Sequence, residues 1–85
     1  MQGERLVEVM TSEDYFNWAA EYHREVEAIE HLISVKEQRL KSTLRKNERM
    51  SVEKSLLNLF EQRVQCLEIA KELEERARII REKEG

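Results

Sequence analysis

Apolar residues recur along this chain at alternating steps of three and four, the spacing that lays one stripe along a helix packed against another. The first stripe runs through Tyr15, Ala19, Tyr22, Val26, Ile29, Ile33, Lys36, Leu40, Thr43 and Asn47. The second runs through Val52, Leu56, Leu59, Arg63, Cys66, Ala70, Leu73, Ala77, Ile80 and Glu84. They are out of phase. Continued past Asn47, the first would land on Met50, Lys54, Leu57, Glu61, Val64, Glu68 and Lys71, four of them charged. Restarting at Val52 gives seven positions to Leu73, of which only Arg63 is charged. One unbroken helix would keep its phase, so the chain is expected to reverse between the stripes.

The predicted elements are a helix over 12–46, a turn over 47–51 and a helix over 52–83. Together they form a single domain, 11–84, behind a loosely held arm, 1–10. Thr11 is the expected N-cap, with Asp14 answering it as in a capping box, and Met10 and Tyr15 occupy the positions of a hydrophobic staple. Glu13 and Asp14 suit the positive end of the helix dipole. Ser51 is the expected cap of the second helix, and an αL conformation at Asn47 would end the first.

Facing positions of the two stripes have residue numbers totalling 99. That pairing sets a against d throughout, as an antiparallel coiled coil requires. Large meets small: Tyr22 with Ala77, Ile29 with Ala70, Ala19 with Ile80. Lys36 meets Arg63 in a polar layer that fixes register, with Glu37 expected to bridge to Arg63 while Lys36 reaches outward. The fold class is therefore all-α: a long antiparallel helical hairpin, a two-helix coiled coil.

Not every apolar residue is used. Leu57, Phe60, Val64 and Leu67 form a row flanking the second stripe, and Trp18, Leu32 and Val35, with Ala28, flank the first. Burying one such side chain contributes roughly 1.5–3 kcal/mol, and a two-helix hairpin cannot cover three faces. A homodimer, as a four-helix bundle, is the expected solution; a groove for a partner's amphipathic helix, in a chaperone-like role, is the alternative.

Composition agrees with long solvated helices. Of 85 residues 39% are charged and 6% aromatic, with no proline and with glycine only at Gly3 and Gly85. Net charge is −3 but unevenly laid: residues 4–30 carry eight acids against two bases, and residues 36–54 seven bases against three acids. The hairpin should be acidic at its open end and basic at its tip. Arg45, Lys46, Arg49 and Lys54 are candidate anion-contacting residues there. Nucleic acid is a less favoured partner, because no aromatic accompanies them to stack on bases. The single cysteine, the lack of an apolar run of about 18 residues and the polar start suggest a reduced, cytoplasmic protein without a membrane span.

Little catalytic chemistry stands out. His23, Glu27 and His31 share one helical row, but the Glu-x-x-His pairing of a carboxylate-bridged metal site is missing and His31 projects outward. Cys66 sits in the seam opposite Ile33 as a small core residue, without a base beside it. An active site built from inward-pointing cations would have only Lys36 and Arg63. No cofactor, metal or small-molecule substrate is expected, and a non-enzymatic protein-interaction module or small adaptor is.

Overall fold

A computed structural model describes residues 10–84, so the expected arm over 1–10 lies, Met10 apart, outside the described residues. Two helices form an antiparallel hairpin: α1, Ser12–Leu40, and α2, Lys46–Glu84. Among the described residues there is no strand. The longest dimension is 59 Å, close to the roughly 58 Å expected of the 39 residues of α2 at 1.5 Å per residue.

α1 starts where the capping pattern puts it. The Asp14 amide donates to Thr11 Oγ1 at 3.2 Å and the Thr11 amide donates to Asp14 Oδ2 at 3.0 Å. Sequence reasoning missed a second closure at this end. Ser12, which is buried, donates from its hydroxyl to Glu84 Oε1 at 2.8 Å, and its amide donates to Glu84 Oε2 at 3.2 Å. The last turn of α2 thus places a carboxylate at the positive end of α1 and satisfies an otherwise orphaned amide.

The reversal lies earlier than expected. α1 stops at Leu40 rather than 46, and Lys46 to Ser51 are helical rather than a turn. Local polar groups account for the shift. Ser42 Oγ donates to the Arg39 carbonyl at 2.6 Å, taking an acceptor at the helix end, while the Lys41 and Ser42 amides tighten to i−3 carbonyls. Three residues past Arg45, Glu48 accepts from the Arg45 amide at 3.1 Å through Oε1, half of a capping box with arginine in the cap position. Arg49 Nη2 then donates to the Leu40 carbonyl at 3.2 Å, so a cation from α2 ends α1. Asn47 takes no αL conformation: no described residue has positive φ. Ser51 lies inside α2, exposed, and caps nothing.

The seam itself is as predicted up to Leu40. Ala19, Val26, Ile29 and Ile33 of α1 are buried, as are Val52, Leu56, Ala70, Leu73 and Ala77 of α2. Tyr15, Tyr22, Lys36, Leu40, Leu59, Arg63, Cys66 and Ile80 complete it at intermediate exposure. Ala70 and Ala77 are both 0% exposed, which brings the helices close where the large side chains of α1 stand opposite. Beyond Leu40 the seam departs from expectation. Thr43 and Asn47 are exposed, and Leu44, in the non-helical connection, packs instead against the cluster of Ile29, Ile33, Val52 and Leu56. Leu44 buries more apolar surface than Thr43 could.

Candidate interaction surfaces

Two contacts define how the flanks of the helices meet. The Arg81 guanidinium sits 4.8 Å from the centroid of the Phe16 ring, and His23 Nε2 lies 3.1 Å from Glu74 Oε2. Both pairs total 97, one step outside seam layers totalling 99, as e facing e′ should be in an antiparallel pair. His23 therefore meets Glu74 and not Arg76, the residue in its own layer. On α2, heptad steps back from Arg81 and Glu74 lead to Leu67 and Phe60. These two lie on the same edge of the hairpin as Phe16 and His23.

That edge carries the row Leu57, Phe60, Val64 and Leu67, exposed by 69, 38, 52 and 38%. Met50, one heptad before Leu57, is exposed too and extends it. The other edge carries Trp18, Leu32 and Val35 of α1, all substantially exposed, and beside them Ile69 and Ile79 of α2, which the sequence reading did not single out. Heptad counting could have found them, since Ile69 takes on α2 the position that Leu32 takes on α1. On this second edge Trp18 stacks on Tyr15 with ring centroids 6.3 Å apart. An open depression of about 340 Å³ lies there, lined by Trp18, Glu21, Tyr22, Glu25 and Cys66. The two apolar stripes thus face away from each other across the hairpin.

The polar layer differs from expectation in its ion pair. Arg63 Nε lies 3.6 Å from Glu30 Oε2, not beside Glu37. Glu30 stands nearly two turns from Lys36 toward the open end, so the guanidinium turns from the like charge opposite it. The distance is that of an ion pair and too long for a hydrogen bond, which leaves this buried nitrogen without an acceptor.

At the tip, Arg45, Lys46, Arg49 and Lys54 are all exposed. Arg45 belongs to the connection, Arg49 is engaged with the Leu40 carbonyl, and Lys54 is about 140° around the helix from Arg49 at 100° per residue. Acidic Glu48 sits among them, 3.8 Å from Arg39, and lines a second depression of about 340 Å³ with Lys36, Arg39 and Asn47.

The remaining chemistry is dispersed. Cys66 is a free thiol packed against the Ile29–Leu56 cluster. Among the described residues no three His, Cys, Asp or Glu side chains come together as metal ligands, and no helix is long and apolar enough to cross a membrane. No protein family model, curated protein or solved structure matches this chain.

Proposed function

We propose that the protein is a non-enzymatic interaction module or small adaptor, a helical hairpin that self-associates into a dimeric four-helix assembly in the cytoplasm. The observation that carries this reading is the exposed row Leu57, Phe60, Val64 and Leu67 on the flank of α2. Apolar side chains at helical spacing, outside the intrachain seam, stay in water at a cost that association removes. Trp18, Leu32 and Val35 give the opposite edge the same character and leave it open to a partner's amphipathic helix after dimerisation. Anion contact at the tip has less support, because Arg49 already serves the end of α1 and acidic Glu48 sits among the cations.

Sedimentation equilibrium tests the reading. The 10.2 kDa chain is expected to run at twice that mass, about 20 kDa, at micromolar concentration. Val64→Asp, outside the seam, is expected to return it to a monomer with its helicity unchanged. A parent protein that stays monomeric up to hundreds of micromolar would overturn self-association and leave a partner's helix as the occupant of the row.

A further inference from the structure

The apolar row on α2 continues into charge at both ends. In unbroken 3,4 spacing it reads Glu53, Leu57, Phe60, Val64, Leu67, Lys71. Glu53 and Lys71 are exposed, and among the described residues neither forms an ion pair. We propose that this row binds the same row of a second copy, antiparallel, with the two-fold axis beside Gln62. This rests on the self-association proposed above and specifies its surface, direction and register.

The pairing follows from the residues. About that axis Phe60 meets Val64 of the second copy, Leu57 meets Leu67, and Glu53 meets Lys71, each occurring twice. Any 3,4 row is symmetric about such a point, so the spacing alone says nothing; the residue types do. Moving the axis one layer toward the tip sets Glu53 against Val64. Moving it one layer the other way sets Lys71 against Phe60 and Glu74 against Leu57. Only the register about Gln62 keeps an unbroken apolar centre closed at each end by opposite charges, the arrangement by which flanking pairs choose register and orientation. A parallel, in-register pair would place Glu53 on Glu53 and Lys71 on Lys71.

Charge beyond the row agrees. The antiparallel arrangement brings the basic tip of each hairpin level with the acidic first half of the other copy's α1, where Glu27 lies on the row's edge; Glu21 and Glu25 line the depression on the opposite edge. Two approaches are unfavourable: Met50 meets Glu74 beyond the charged ends of the row, and Glu61, one step off the row, comes near its symmetry mate. It is exposed, and water screens it.

A charge swap tests this register. Residues 53 and 71 are 18 positions apart on one helix, roughly 27 Å at 1.5 Å per residue, so they cannot meet within a hairpin. Glu53→Lys and Lys71→Glu, each turning two attractions per dimer into repulsions, are each expected to raise the dimer dissociation constant about tenfold at low salt. The double variant E53K/K71E is expected to recover the parent value within about threefold, with the effects shrinking as salt rises. Circular dichroism should show all three folded, since both positions are solvent-exposed helix. A dimer indifferent to the single swaps, or not restored by the double, would overturn the register while leaving self-association standing. A monomeric parent would overturn both.

Discussion

Arg63→Leu is expected to stabilise the hairpin. Arg63 occupies a seam position between Leu59 and Cys66, opposite Lys36, and its Nε is buried without a hydrogen-bond acceptor. An unsatisfied buried donor of this kind costs on the order of 1–3 kcal/mol. Against that stands the pair with Glu30 at 3.6 Å, whose side chains are 40 and 52% exposed. Pairs this wet are worth roughly 0–1 kcal/mol. The arginine methylenes already cover part of the seam, so leucine exchanges one apolar stem for another and adds little burial of its own. The balance is a gain of about 1 kcal/mol, or about 4–8 °C in melting temperature for a domain of this size.

Urea unfolding followed by helicity measures it, with parent and variant at equal protein concentration because dimerisation would add stability by mass action. Glu30→Gln supplies the control: if the ion pair is as weak as its exposure implies, removing its charge should cost less than about 0.5 kcal/mol. A double-mutant cycle across the two positions isolates the pair itself. The reasoning is wrong if Arg63→Leu loses more than about 0.5 kcal/mol, since the Arg63–Glu30 contact would then outweigh the orphaned nitrogen.

Other consequences are checked as directly. Thr11→Ala removes one side of the reciprocal cap on α1 and should cost about 1 kcal/mol by the same unfolding assay. Ile29→Asp places an unpaired charge in the cluster with Ile33, Val52 and Leu56 and should cost several kcal/mol, enough to unfold so small a domain; a mild effect would mean that the seam is wrongly phased. Hydrogen exchange should be fast at amides 42–44 and slower at 50–54, and the reverse order would restore the later turn. Leu44→Ser should destabilise by about 1–2 kcal/mol although its residue lies outside any helix, because its side chain closes the cluster at the tip.

The seam was legible because it depends on periodicity summed over many residues. Every seam position from Tyr15 to Leu40 and from Val52 to Ile80 is buried or half-buried as its spacing implies. The exposed rows followed by subtraction, since Trp18, Leu32, Val35, Leu57, Phe60, Val64 and Leu67 are what the seam leaves over. Single-residue partners were less legible. Glu84 clasping Ser12 and Glu30 drawing Arg63 away from Glu37 depend on which rotamer of a long side chain wins, and spacing does not encode that. Thr11 could be read as a cap because both halves of its pair lie within three residues.

The turn shows why the remaining part was hidden. The change of phase puts the reversal between Asn47 and Val52, with Ser51 as the cap and Asn47 as the stop, several residues later than it lies. A tertiary contact acts with the local polar groups there: Leu44 packs on the cluster that holds Val52 and Leu56, a position outside the helical seam. The consequence reaches the tip. Contacts in the open half total 96 or 97, Glu30 with Arg63 totals 93, and Arg39 with Glu48 totals 87. A constant register therefore does not run to the end, and the first turn of α2 reaches back to the last turn of α1. Arg49 and Glu48 become the groups that terminate one helix and start the other. A basic patch that the sequence offers as a site for anions is thus in part the machinery of the turn, and the surfaces left without an intrachain partner are the apolar rows on the two edges of the hairpin.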